Sequence, residues 1–180
     1  MRTRYTRSLG LPVLDEETGD VLGIVSGMVV HPDTGAVEGF FVRPEEFWSQ
    51  DELFLTSLEI LHWGVRITVR SRDVLAAPDE LVRMQTILAS GRPVLGQTIV
   101  TENGRRLGRC ADVQFNTESF RLEWLFPRRF FRWGIPIPAS SIVEVQQDAI
   151  IVRDPPVTQA EEAVSGAVRE PLLPPVPEAA

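Results

Sequence analysis

The sequence predicts a mostly β protein made of two copies of one small, strongly curved strand unit joined by a short helix. Three observations predict it. Gly19, Leu22, Gly23, Val37 and Glu38 return 85 residues later as Gly104, Leu107, Gly108, Leu122 and Glu123, and Met28 and Val30 return as Val113 and Phe115. Short β-branched runs alternate with glycine- and proline-bearing turns. Only the stretch between the copies switches to a helical period. With two copies of such length, the pattern is that of a duplicated domain and not of a solenoid.

Taken in order, Leu9 to Leu14 is a short apolar run and reads as a strand. Asp15 to Asp20 is a turn in which Gly19 can adopt positive φ. Val21 to Val30 reads as a strand bent by the glycines within it. Pro32-Asp33-Thr34-Gly35 suits a type I turn that leads into a return strand, Ala36 to Val42. Arg43 to Asp51 is a loop. Glu52 to Leu55 and Val65 to Val69 are further strands. Asp79 to Ala89 places Leu81, Met84, Ile87 and Leu88 at helical spacing, with Asp79 as the capping residue and Gly91 as the stop. The strand pattern then restarts. Asn103-Gly104 marks a hairpin turn, Leu107 to Phe115 and Phe120 to Phe126 are its long strands, and Ile150 to Val152 closes the unit as Ile67 to Val69 closes the first. The expected division is residues 1–77, a helical linker at 78–91, a second unit at 92–154 and a tail at 155–180. The tail is rich in Pro, Ala and Glu and has no aromatic residue, a composition that predicts disorder. Its Pro171, Pro174 and Pro177 have polyproline spacing, but Arg169 is out of register for a basic-flanked ligand, so the segment reads as a solvated tail.

Composition narrows the function. The chain has 180 residues, is 43% hydrophobic and 24% charged, and has no apolar run as long as a membrane span. The basic N-terminus lacks the apolar stretch of a signal peptide. With one cysteine, Cys110, an intrachain disulfide is impossible. These features predict a cytoplasmic protein. All 18 basic residues are arginine, so no lysine is present to form a Schiff base or cradle a phosphate. The net charge of −7 is uneven: residues 1–77 carry −5, residues 92–153 carry +3 and residues 154–180 carry −4. The protein as a whole is too acidic for a broad nucleic-acid footprint.

The repeated pattern resembles the PRC-barrel domain, the small barrel shared by the H subunit of the photosynthetic reaction centre and the C-terminal part of the bacterial ribosome maturation factor. The resemblance is carried by Leu9-Gly10-x-x-Val13, by Gly19 to Gly23, by Val29 to Gly39 and by Ile67-Thr68-Val69. In the second copy it is carried by Leu95-Gly96-x-x-Ile99, Gly104 to Gly108, Asp112-Val113 and Ile137-Pro138 through Val152. It covers residues 8–75 and 92–154 and implies two PRC-type barrels. The chain lacks the transmembrane helix of the first relative and the separate N-terminal barrel of the second. The resemblance implies a non-enzymatic adaptor or scaffold that binds protein partners. Two alternatives stay open: an RNA-associated factor in ribosome assembly, and a peripheral partner of a membrane electron-transfer complex.

The residues offer little catalytic chemistry. His31 and His62 have no ligand at metal spacing, and His31, before a turn, reads as exposed. Ser26 is misplaced for a nucleophile elbow. No phosphate loop or dinucleotide fingerprint occurs, and Asp15 to Asp20 lacks the ligand pattern of a calcium loop. Cys110 sits in an apolar strand and reads as an inert core thiol. No catalytic, cofactor or metal residue is predicted. The more informative feature is the loop after each central hairpin, where the copies diverge. The first carries Glu45, Glu46, Phe47 and Trp48, the second Arg128, Arg129, Phe130, Phe131, Arg132 and Trp133. Either these aromatics fold back and plug their own barrels, or the ten residues form contact surfaces. In the second case opposite charge would steer one loop to the other, within a chain or in a homo-oligomer. Arginine interleaved with aromatics also suits ribosomal RNA, though over one loop only.

Overall fold

The computed structural model describes residues 1–44 and 52–154. The expected tail and the acidic half of the divergent loops, Glu45 to Trp48, lie outside them. The fold is mostly β, in two sheets, with short helices. It opens with a strand that the sequence patterns did not reveal, β1 (Arg2–Arg4), followed by one helical turn, α1 (Tyr5–Ser8). The first sheet then contains β2 (Pro12–Asp15), β3 (Val21–Val30), β4 (Val37–Arg43), β5 (Leu53–Thr56), β6 (Ile60–Trp63), β7 (Ile67–Val69) and β8 (Leu75–Ala76). After helix α2 (Val82–Ala89), the second sheet contains β9 (Thr98–Thr101), β10 (Arg106–Asn116), β11 (Arg121–Arg129), β12 (Arg132–Trp133), β13 (Ile137–Pro138), β14 (Ile142–Val145) and β15 (Ala149–Val152).

The duplication is visible in the hydrogen bonding. The first sheet runs β6-β7-β2-β3-β4-β5-β8. The second runs β14-β15-β9-β10-β11, with β12 and β13 both on the outer edge of β11. Each has one parallel pair, β2 with β7 and β9 with β15, in which Val13 faces Ile67 and Ile99 faces Ile150. The bulges also repeat. Register shifts at Val25/Gly27 and Val29/Val30 in β3 recur at Cys110/Asp112 and Gln114/Phe115 in β10. A bulge adds local twist, so its conservation between the copies means that both sheets bend at the same places. Gly23 and Gly108 are needed at one such bend. A Cβ on Gly23 would lie 2.5 Å from the Arg43 carbonyl oxygen, and one on Gly108 would lie 2.8 Å from that of Arg128.

Two expectations are corrected. The first strand begins at Pro12, not Leu9, because Tyr5–Ser8 is helical and Gly10 turns the chain at φ +79°. The linker helix is two turns, not three. Pro78–Glu80 forms a separate 3-10 turn, and Leu81 is extended and lacks a side-chain cap, so Asp79 caps nothing. The physical reason is packing. Leu81 and Ile87 lie against Val29, Phe54 and Met84 in a small cluster, and holding Leu81 there interrupts the helical backbone.

β1 crosses to the other sheet. It pairs with the far half of β10, with Arg2 opposite Asn116 and Arg4 opposite Gln114. Thr6 anchors the helical turn by donating from its N–H and Oγ1 to the buried carboxylate of Asp112, at 3.1 and 2.7 Å. The main core draws on both repeats. Phe40 and Trp63 from the first pack against Phe115 and Phe120 from the second, with ring centroids 5.5 to 6.4 Å apart across the repeats.

Candidate interaction surface

In the second repeat, the divergent loop is an ordered hairpin. β11 overruns its predicted end at Phe126 and continues to Arg129, and β12 folds back on it. Arg129 pairs with Arg132 and Arg128 with Trp133, leaving Phe130 and Phe131 as a two-residue turn. Phe130 adopts φ +53°, a conformation unusual for a residue with a side chain. Three contacts hold this geometry. The Gly134 N–H donates to the Pro127 carbonyl at 2.8 Å, Arg128 Nε donates to the Phe130 carbonyl at 3.2 Å, and the Arg128 guanidinium sits 5.7 Å over the Trp133 ring.

The aromatics do not plug the sheet. Phe130 is 87% exposed, Phe131 90% and Trp133 54%, and the neighbouring Ile135 is 85% exposed. The inner face of β11 is already filled by Leu122 and Leu125, which belong to the main core, while Phe126 on the other face lies under the Arg4 guanidinium at 3.8 Å. Arg128, Arg129 and Arg132 are exposed, and Arg129 and Arg132 make no ion pair among the described residues. Beside the hairpin lies a 440 Å³ cavity lined by Leu107, Pro127, Ile137 and Val152 and by the charged residues Arg105, Arg153 and Asp154. This end of the second sheet therefore combines exposed apolar side chains with positive charge. The sequence named Arg128 to Trp133. It did not name Ile135.

The corresponding point of the first repeat differs. Arg43, the mate of Arg128, lies 3.9 Å from Glu52, which also accepts from Ser26 Oγ at 2.6 Å. Glu45, Glu46, Phe47 and Trp48, the rest of that loop's candidate surface, lie outside the described residues.

The groups that most resemble reactive ones have structural roles. The Cys110 thiol is fully buried, and burial, reinforced by the Asp112 charge, pushes its pKa up to about 12. Asp15 accepts from the N–H groups of Glu17, Thr18 and Arg72, and Asp112 from those of Thr6 and Val113. Both buried carboxylates are satisfied by local or crossing backbone. His31 is half-buried, not exposed as the sequence suggested. Its Nδ1 accepts the Asp33 N–H at 3.2 Å, within the turn. Among the described residues, no three His, Cys, Asp or Glu side chains converge as a metal site, and no helix is long and apolar enough to cross a membrane.

Fold and surface together define a duplicated β-sheet protein with an exposed aromatic hairpin at one end of its second sheet. The family model for the PRC-barrel domain matches residues 2–81 and again 89–159, and the chain belongs to that family. PRC-barrel domains generally act as protein–protein interaction modules. No curated protein matches the chain at a significant level.

Proposed function

We propose that this protein is a non-enzymatic adaptor whose two PRC units, each read as a small curved barrel, form a rigid platform for partners. The observation that carries the reading is the hairpin Arg128–Trp133: aromatic residues at high exposure, held by a defined turn and flanked by Arg129 and Arg132, which make no ion pair among the described residues. An apolar group left in water at that exposure gains free energy only on association, and aromatics with arginine are the residue types that dominate contact energy. Family membership supports protein partners for the platform as a whole. The ribosomal reading is less well supported, because arginines interleaved with aromatics occur in one loop of a chain with net charge −7.

The test is affinity purification from the native host with the full chain and with Arg129→Glu/Arg132→Glu, identifying bound protein and RNA in parallel. The adaptor reading expects a defined protein recovered with the wild-type chain. Recovery of ribosomal RNA alone, lost at moderate salt, would replace it with the ribosomal reading.

A further inference from the structure

The hairpin is layered in a way that specifies what it touches. At the apex stand Phe130 and Phe131, 87% and 90% exposed. One register step below are Arg129 and Arg132, directly opposite each other. One step further are Arg128 and Trp133. The order is thus apolar tip, then guanidinium pair, then guanidinium with indole. An anionic bilayer presents the matching order in reverse: phosphate-bearing headgroups first, then hydrocarbon. Arginine satisfies phosphate with a planar donor fork. Tryptophan favours the headgroup level, and apolar side chains of a surface-bound element reach the acyl boundary.

We infer that the hairpin inserts Phe130 and Phe131 into an anionic lipid surface, with Arg128, Arg129 and Arg132 bound to the headgroup phosphates. This rests on the reading of the hairpin as the docking element. Three observations favour lipid over a protein or RNA occupant. The apex is convex, so a protein would have to supply a deep recess, whereas lipid needs none. The two phenyl rings have no wall behind them, unlike aromatic platforms on which bases stack. The adjacent cavity adds Arg105 and Arg153 against one acid, Asp154, and Ile135, 85% exposed, adds apolar surface at the base of the hairpin. A planar anionic surface engages the apolar apex and the arginines behind it together.

The experiment is co-sedimentation of the full chain with vesicles of phosphatidylcholine alone and of phosphatidylcholine containing about 30% phosphatidylglycerol, since the surface potential acts only near anionic lipid. Binding is expected to the anionic vesicles and not to the neutral ones. Phe130→Ser/Phe131→Ser and Arg129→Glu/Arg132→Glu are each expected to weaken it by about tenfold or more, the first through lost apolar burial and the second through reversed charge. Both pairs are solvent-exposed, and an unchanged thermal melt confirms that the variants are folded. Equal sedimentation with both vesicle types, none with either, or wild-type binding by the variants would overturn the assignment. So would capture of a protein or RNA that depends on Phe130 and Phe131 while vesicles stay unbound, an outcome that leaves the adaptor reading standing. Vesicle binding with no protein recovered from the host would do the opposite, supporting lipid and removing the adaptor.

Discussion

Val37 donates its backbone N–H to the carbonyl oxygen of Phe120 at 2.7 Å, and Leu122 returns the same bond to Gly35 at 2.9 Å. Val37 and Leu122 are repeat mates, and so are Gly35 and Phe120. Between them Ala36 bridges Arg121, its own mate. The two central hairpins therefore meet about an internal two-fold relation, with each using the same residues toward the other. Self-complementary contact of this kind is the geometry of a symmetric dimer interface, here closed within one chain. It explains why a single hydrophobic core takes side chains from both repeats.

Gly35 tests that seam. Its φ is +65°, but a Cβ there would meet only Leu122 Cβ, at an ordinary 3.6 Å. Gly35→Ala should thus cost about 1–2 kcal/mol, from the left-handed backbone and not from a clash. Gly39→Ala should cost more, because its Cβ would fall 2.1 Å from the Leu55 carbonyl oxygen, and backbone must move to relieve that. Chemical denaturation of both variants gives the order. A larger loss for Gly35→Ala would mean that the seam, not the β4–β5 contact, is the tighter constraint.

The shared core predicts cooperative unfolding. Phe40 and Phe115 are both fully buried and lie 5.9 Å apart, one from each repeat. Phe40→Ala or Phe115→Ala should each destabilise by about 3–5 kcal/mol, and each should lower one common transition. Calorimetry showing two separate transitions, only one of them shifted, would contradict the single core.

The duplication was legible because glycine at a bulge and branched residues in a core leave local signals. Gly23 and Gly108 mark the same close approach of neighbouring strands, and Val13 and Ile99 mark the same buried parallel pair. What stayed hidden depends on distant partners. Arg2–Arg4 has no strand pattern of its own and becomes β1 only because the edge of β10 at Gln114–Asn116 accepts it. The break at Leu81 arises from packing on Val29 and Phe54, which helical spacing alone does not reveal. At the site, the sequence identified Arg128 to Trp133 as divergent. It did not settle whether the aromatics faced inward, because that depends on β11 having already filled its inner face with Leu122 and Leu125.

Asp33 and Arg92 link the repeats by an ion pair of 2.7 Å, one guanidinium nitrogen to each carboxylate oxygen. The hydrogen bonds from Arg92 hold the Asp33 carboxyl below its ordinary range. A lowered carboxyl pKa contributes stability that is present above the unfolded value, near pH 4, and is lost as pH falls through the folded one. Asp33→Asn should therefore melt below the wild type at neutral pH, and the difference should close below about pH 4. The pair is solvent-exposed, so added salt should shrink the difference too. A gap in melting temperature that persists at pH 2 would show that Asp33 acts through its turn and not through Arg92.

Cys110 reports on opening of the same core. It is fully buried, and its pKa is pushed up to about 12, first by burial and then by the Asp112 charge. At pH 8 the native thiol is protonated and inaccessible, whereas the unfolded thiol, with an ordinary pKa of about 8.5, is partly ionised. A disulfide reagent should label the denatured chain rapidly and the native chain only at the rate or frequency of opening. Gly39→Ala, which strains β4 against β5, should then raise the native labelling rate in step with its loss of stability. The raised pKa also sets a sign on the pH dependence. The stability it contributes is full below the unfolded value and declines as pH rises from about 8.5 toward 12, because only the unfolded thiol releases its proton in that range. Rapid labelling of the folded wild-type chain at pH 8 would mean that β10 opens locally at Cys110 and that the two repeats do not share one closed core.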